Sequence, residues 1–126
     1  MNRPFTLRGR LRSFRWAFRG IGLMLATQHN AWIHAAATIL VVALASWLRL
    51  EPLEWCAVVA AIVAVWTAEA LNTALEFLAD VASPEFHPLV EKAKDVAAGA
   101  VLISAMGAAA IAGLVLWPHL KLQLGM

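Results

Sequence analysis

The sequence has 126 residues, of which 62% are hydrophobic and only 14% are charged. Soluble domains carry about 25% charged and about 45–50% apolar residues, so the composition excludes an ordinary soluble domain and indicates a membrane protein with several spans. The formal net charge of +2 says little by itself, and the length allows one domain, 1–126. The lone cysteine, Cys56, excludes an internal disulfide, and the chain has no Gly-rich phosphate loop of the Walker type.

The N-terminal segment, about 4–30, predicts an amphipathic helix on the membrane surface. Six of the ten Lys and Arg residues fall in the first nineteen positions. Four apolar and four basic side chains recur with helical spacing in neighbouring stripes: Phe14, Phe18, Ile21 and Leu25 beside Arg8, Arg12, Arg15 and Arg19. A basic tail that only sets topology is a compatible alternative. We expect no signal-peptide cleavage after the "ALA" at 43–45, because the apolar run continues past it.

Three apolar runs follow and predict three transmembrane helices, at 31–49, 53–80 and 96–118. A spanning helix needs about 20 apolar residues. The run 96–118 is uncharged, and 31–48 has His34 as its one titratable residue. Trp47, Trp55 and Trp66 lie near the boundaries, where their amphipathic rings favour the interface.

The distribution of basic residues predicts the orientation. The N-terminal segment holds six arginines, and the segment 81–95 adds Lys92 and Lys94. The opposite side holds Arg49 and Lys121. Because cytoplasmic segments carry the excess of Lys and Arg, the N-terminus and the 81–95 loop are expected in the cytoplasm and the C-terminus outside.

An acidic face lies at the cytoplasmic end of the second span. Glu69, Asn72, Glu76 and Asp80 are spaced i, i+3, i+7 and i+11, which puts them on one side of a helix. Ionisable groups at membrane depth are costly and usually functional. The alternative is a structural network in which Glu69 pairs with Lys94 or an arginine. The two glutamates lie about 10 Å apart along the helix, too far to share one ion directly.

The loop "VASPEFHPLVEKAKD" follows. Ser83-Pro84 predicts a helix start, with Ser as the cap and Pro in the first turn, and Pro88 is expected to interrupt it. Lys92, Lys94 and Asp95 then lead into the third span. This loop at the membrane face thus contains basic groups suited to binding phosphate and acidic groups suited to binding Mg²⁺ or ribose.

The stretch "EALNTALEFLADVASPEFHPLVEKAKDVAAGAVL", 69–102, closely resembles the bacterial integral-membrane diacylglycerol kinase and undecaprenol kinase family. The family pattern is Glu-x-x-Asn-(Ser/Thr)-Ala-x-Glu, then a loop that ends in Ala-Lys-Asp. The resemblance runs from about Phe14 to Trp117 and includes "HNAWIH" at 29–34. It implies an all-α homotrimer. It also implies one amphipathic surface helix and three transmembrane helices in each chain, and this helix layout is the one that the residues predict.

The resemblance further implies transfer of the ATP γ-phosphate to the hydroxyl of a membrane lipid alcohol, at the cytoplasmic face of the bacterial inner membrane. Glu69 matches the family's general base, and Glu76 binds Mg²⁺ with the residue at position 28. The cofactor-binding residues implied are Trp16, Gln28, Asn72, Glu76, Glu85, Phe86, His87, Lys94 and Asp95. No nucleic-acid partner is expected.

Two departures from the family stand out. Gln28 replaces the usual Glu and can offer a metal only a neutral oxygen, and Trp16 stands where a Tyr is frequent. The first leaves open a catalytically weakened member acting as a scaffold. A non-enzymatic bundle that conducts ions or protons through Glu69 and Asp80 is another alternative, and it should not bind Mg²⁺-ATP. The lipid stays undetermined, although "SPEFHPL" is more similar to the undecaprenol kinase branch.

Overall fold

The computed structural model describes residues 6–126 and contains four helices in this range: α1 Leu7–Thr27, α2 His29–Trp47, α3 Pro52–Ala82 and α4 Pro88–Leu124. No strand occurs among these residues, so the predicted all-α class is confirmed. The helices α2, α3 and α4 are each long and apolar enough to cross a membrane. The start of the predicted surface helix at residue 4, and Arg3, lie outside the described residues.

The first helix presents its apolar residues outward. It begins after Thr6, whose Oγ1 accepts a hydrogen bond from the Gly9 N–H at 3.2 Å, as an N-cap does. Phe14 and Phe18 are 64% and 71% exposed, and Met24 is the buried residue of the helix. An uncovered aromatic stripe next to arginines fits the interfacial position expected of this segment.

One residue separates α1 from α2. Gln28 has an extended backbone, with φ −106° and ψ 115°, and is both the C-cap of α1 and the N-cap of α2. Its N–H donates to the Met24 carbonyl at 2.9 Å, which closes α1. The sequence carries neither Gly nor Pro here, so the break could not be predicted from helix breakers.

The turn between α2 and α3 is tight. Arg49 has a φ of 55°, in the left-handed region, and the Leu50 N–H donates to the Ala45 carbonyl at 3.2 Å. Glu51 then caps α3, and its N–H donates to Oε2 of Glu54 at 2.8 Å, forming a capping box ahead of Pro52. The turn predicted at 48–55 thus contains the C-cap of α2, Leu48, and the N-cap of α3, Glu51.

The connection between α3 and α4 is shorter than the predicted loop at 81–95. α3 ends at Ala82, and Ser83 is its C-cap. The prediction of a helix start at Ser83-Pro84 is wrong: α4 begins at Pro88, and Nδ1 of its N-cap His87 accepts from the Leu89 N–H at 3.2 Å. Proline suits the first helical position but disfavours helical backbone in the residue before it, so a helix starting at Pro84 could not pass Pro88.

The third predicted span also extends further. Pro118 lies inside α4, which continues to Leu124 and ends at Gly125 in the left-handed conformation with φ 68°. Nε2 of His119 lies 2.8 Å from Oε1 of Glu54, tying this end of α4 to the start of α3. The helices thus run beyond the predicted membrane limits, which themselves stay predictions.

Packing is most extensive between α3 and α4. The buried cluster lies at the Glu54 end of the bundle and consists of Ala45, Leu48, Leu50, Val58 and Leu116. In lipid, helix association depends on close van der Waals contact more than on a hydrophobic drive, so small buried residues matter. Ala45 is fully buried at this point.

We expect Ala45→Leu to destabilise the bundle by about 1–3 kcal/mol, because three added carbons must fit into a filled contact. The free energy of unfolding would be measured in mixed detergent micelles by circular dichroism. Ala43→Leu is the matched control, since Ala43 is exposed on the same helix. Equal unfolding midpoints for the two variants would contradict the packing described.

Candidate functional site

The carboxylate of Glu69 is the most enclosed polar group of the described chain. Glu69 lies on α3 and is 0% exposed. Within residues 6–126 neither carboxylate oxygen has a hydrogen-bond partner. Nε2 of His34, on α2, lies 3.6 Å from Oε2. The neighbouring Thr73 hydroxyl donates at 2.9 Å to the backbone carbonyl of Glu69, so it leaves the carboxylate free.

Two amides hold the second acid, Glu76. Asn72 Nδ2 donates to Oε1 at 3.0 Å, from one helical turn earlier. Gln28 Nε2 donates to Oε2 at 3.1 Å, from the joint between α1 and α2. Each carboxylate oxygen thus accepts one hydrogen bond, and the two bonds fix the orientation of the carboxylate. Oδ1 of Asn72 is buried without a partner among the described residues.

A polar cavity of about 360 Å³ lies beside the connection between α3 and α4. Nζ of Lys94 lies 3.1 Å from Oδ1 of Asp80, and this ion pair forms part of the wall. The Ser83 hydroxyl donates to the Glu85 carbonyl at 2.8 Å and shapes the short loop. The lining residues are Ala79, Asp80, Ser83, Pro84, Glu85, Phe86, His87, Val90, Glu91, Lys94 and Asp95.

Apart from Glu69 and Trp16, the sequence-predicted site residues fall into two groups. Gln28, Asn72 and Glu76 meet at one point of α3. The five predicted from the loop region line the polar cavity: Glu85, Phe86, His87, Lys94 and Asp95. Trp16 belongs to neither group, since it is 55% exposed on α1 and the Arg19 guanidinium lies 5.6 Å from the centroid of its ring.

The alternative in which Glu69 pairs with Lys94 is wrong, because Lys94 pairs with Asp80 and Glu69 faces His34. The sequence did not predict that His34 contacts Glu69. A signal was present: His34 is the one titratable residue of its apolar run, and ionisable groups inside a span are usually functional. The run at 31–48 is apolar on every face of the helix. Its hydrophobic periodicity therefore could not predict that His34 faces α3.

The residues near Glu76 fit a magnesium ion that arrives with nucleotide phosphates. Mg²⁺ prefers oxygen ligands and commonly uses one or two carboxylates together with substrate phosphates. Glu76 supplies a carboxylate, and Asn72 supplies a buried amide oxygen that lacks a partner. Gln28 turns its nitrogen toward Glu76. No group of three His, Cys, Asp or Glu side chains within residues 6–126 could hold a metal by itself.

Comparison with known proteins places this chain in a defined class, the lipid kinases, which are phosphotransferases with an alcohol group as acceptor. The sequence profile described as prokaryotic diacylglycerol kinase matches residues 15–116. The chain belongs to this prokaryotic diacylglycerol kinase family, and the resemblance found from the sequence is confirmed.

Individual relatives agree with the family. A diacylglycerol kinase of Synechocystis sp. is 40% identical over 109 residues, which cover 86% of this chain and 62% of that protein. An undecaprenol kinase of Bacillus subtilis is 37% identical over 86% of this chain and 89% of its own length. A diacylglycerol kinase of Escherichia coli K12 is 32% identical over 71% of this chain and 79% of its own length.

Proposed function

We propose that this protein transfers the γ-phosphate of ATP to the hydroxyl of a membrane lipid alcohol, diacylglycerol or undecaprenol. The observation that carries the proposal is the pair of acids on α3. Glu69 is buried without a hydrogen-bond partner among the described residues, and Glu76, seven residues on, is held by two amides. The first carboxylate is free to take a proton, and the second is held in place by its two hydrogen bonds.

Glu69 acts as the general base. The lipid oxygen forms a bond to the γ-phosphorus while the bond from this phosphorus to the β–γ bridging oxygen breaks, and ADP leaves with that electron pair. The hydroxyl proton passes to the Glu69 carboxylate, which no side chain of the described residues occupies by hydrogen bonding. Burial at 0% exposure keeps bulk water from competing for the same carboxylate.

Glu76 and Asn72 orient the nucleotide end of the reaction. When Mg²⁺ is bound there, it neutralises phosphate charge and helps to position the γ-phosphate. Phosphoryl transfer depends mainly on positioning and charge neutralisation, which a chain of this size can provide. The cavity with Lys94, Asp95 and His87 is the proposed site for the rest of the ATP.

The proposed setting is the bacterial inner membrane, with α1 on the cytoplasmic surface and the α3–α4 connection in the cytoplasm. The basic N-terminal segment and Lys94 support this orientation. The proposed assembly is a homotrimer. The large exposed apolar residues along the spanning helices, such as Ile39 at 70% and Ile103 at 73%, leave ample surface for lipid and for partner subunits.

A lipid panel tests the proposed activity. The purified protein in detergent micelles would receive Mg²⁺-ATP with diacylglycerol, undecaprenol or a simple fatty alcohol, and phosphorylated lipid would be quantified. We expect phosphate transfer to at least one of the first two. A protein that binds no Mg²⁺-ATP and phosphorylates none of them would refute the proposal and favour the ion-conducting alternative.

Gln28→Glu tests the metal position at Gln28. Gln28 donates to Glu76, and the substitution replaces this donor with a second negatively charged oxygen ligand. Hard cations favour carboxylates, so we expect Mg²⁺-ATP affinity and turnover to rise about 2–10-fold at saturating Mg²⁺. At scarce Mg²⁺ the two carboxylates repel each other, and the gain should shrink or reverse.

Initial rates of lipid phosphorylation across a Mg²⁺ series would be measured for the natural chain and for Gln28→Glu. Gln28→Ala is the control, since it removes the amide donor without adding a charge. A uniform loss for Gln28→Glu at every Mg²⁺ concentration would show that the amide has another task at this position.

A further inference from the structure

His34 and Glu69 form a pair that the proposed reaction has not yet used. Nε2 of His34 lies 3.6 Å from Oε2 of Glu69, with the two side chains 14% and 0% exposed. Nε2 of His34 and both carboxylate oxygens of Glu69 are buried and lack a hydrogen-bond partner among residues 6–126. The separation is slightly longer than a hydrogen bond, and such contacts commonly tighten when substrate binds.

The imidazole ring of His34 has a defined orientation. Trp66, one turn before Glu69 on α3, meets it edge-on, with ring centroids 6.4 Å apart and an interplanar angle of 69°. Trp66 is in turn fixed by its Nε1, which donates to Oγ1 of Thr38 on α2 at 3.1 Å. The α2–α3 contact therefore holds the imidazole with Nε2 directed at the acid.

The other polar side chains near Glu69 donate their hydrogen bonds to other acceptors. The hydroxyl of Thr73 donates to the Glu69 backbone, and the amides of Gln28 and Asn72 donate to Glu76. In the described part of the chain, His34 is thus the donor available to the Glu69 carboxylate.

We propose that His34 is the positioning residue of Glu69, whose carboxylate it holds by one oxygen so that the other faces the lipid hydroxyl. This inference rests on the proposed lipid kinase function. His34 acts through Glu69 and touches no reacting atom itself. An imidazole N–H on Oε2 restricts the rotation of the carboxylate and leaves Oε1 as the atom that takes the proton.

A cavity beside His34 allows a direct chemical test. An apolar space of about 240 Å³ lies between α2, α3 and α4, and His34 forms part of its wall together with small residues such as Ala37, Ala61 and Ala108. A cavity of about 150 Å³ is enough to bind benzene in a protein interior. A free imidazole molecule therefore has room to replace a deleted side chain at position 34.

The experiment measures kcat and KM for His34→Ala, His34→Gln and the natural chain in detergent micelles. The substrates are Mg²⁺-ATP and the lipid alcohol that the natural chain phosphorylates. We expect His34→Ala to lower kcat about 100-fold, a typical contribution for a group that serves proton transfer, with KM for Mg²⁺-ATP changed less than about twofold. Added imidazole should raise the kcat of His34→Ala about 10-fold. His34→Gln, which keeps a donor near the Nε2 position, should retain more activity than His34→Ala.

Two controls make the test specific. His29→Gln changes an exposed histidine five residues earlier in α2 and should keep the natural kcat. Glu69→Gln should not respond to imidazole, because the group that imidazole would orient is gone.

Unchanged kcat in His34→Ala, or a loss that imidazole does not restore in a folded variant, would overturn the role of His34. If His34→Ala fails to fold, a His34→Gln kcat equal to that of Glu69→Gln would also overturn it. Failure of the natural chain to phosphorylate any lipid would instead refute the proposed function, so the two failures are distinguishable.

Discussion

Glu69→Gln should fold and assemble like the natural chain but transfer phosphate about 1,000-fold more slowly. The amide has nearly the same shape as the carboxylate, so the fully buried site keeps its packing. It cannot accept the lipid proton, and loss of a general base costs about 10²–10⁴ in rate. The measurement is kcat with saturating lipid and saturating Mg²⁺-ATP, together with size-exclusion chromatography of the variant.

Thr73→Val is the matched control for Glu69→Gln. Thr73 is buried four residues further along α3, and its hydroxyl donates to a backbone carbonyl rather than to an acid. Valine has the same shape, so this variant should keep most of its activity. A Glu69→Gln protein that retained most of its turnover would show that another group removes the lipid proton.

Glu76→Ala should lower turnover about 100-fold at moderate Mg²⁺ and raise the Mg²⁺ concentration needed for half-maximal rate. The substitution removes the carboxylate proposed to meet the metal, and it leaves the Gln28 and Asn72 amide nitrogens without their acceptor. Interactions made in the transition state by a metal-bound phosphate are typically worth several kcal/mol, which supports a loss of this size. The KM for lipid should change little.

Initial rates over a Mg²⁺ series, at fixed ATP, separate this effect from simple unfolding. Asp80→Ala is the informative comparison, because Asp80 is the next acid toward the loop and pairs with Lys94. If Glu76→Ala leaves the Mg²⁺ titration unchanged while Asp80→Ala shifts it, Asp80 is the ligand and the assignment to Glu76 is wrong.

The number, order and approximate positions of the helices could be predicted, because long uncharged runs have few alternatives in lipid. The helical face with Glu69, Asn72 and Glu76 could also be predicted, since spacing along one helix fixes relative direction. In the structure Asn72 and Glu76 are indeed joined by a hydrogen bond of 3.0 Å. Helical periodicity was sufficient to predict which residues lie together when both are on the same helix.

Contacts between helices were harder to predict. His34 lies in a run that is apolar on every side, so nothing in its periodicity selects the face that meets Glu69. The break between α1 and α2 at Gln28 contains no Gly or Pro, so the sequence does not indicate it. It forms where the Gln28 side chain contacts Glu76. The helix start predicted at Ser83-Pro84 does not form, and α4 begins at Pro88, eight residues before the predicted third span at 96–118. Both prolines suit a first helical turn, so the sequence alone did not select Pro88.

Gln28 is the single residue between α1 and α2, and its side chain reaches the acid proposed to hold the metal. On the bilayer surface, the arginines of α1 would be attracted by anionic headgroups, by about 1 kcal/mol each. A shift of α1 on the surface would move the backbone of Gln28 and so alter its hydrogen bond to Glu76. Because coupling between two binding events is reciprocal, the lipid charge under α1 and the occupancy of the proposed nucleotide site should each influence the other. Gln28 would then let this small enzyme adjust its affinity for ATP to the charge of the membrane in which it works.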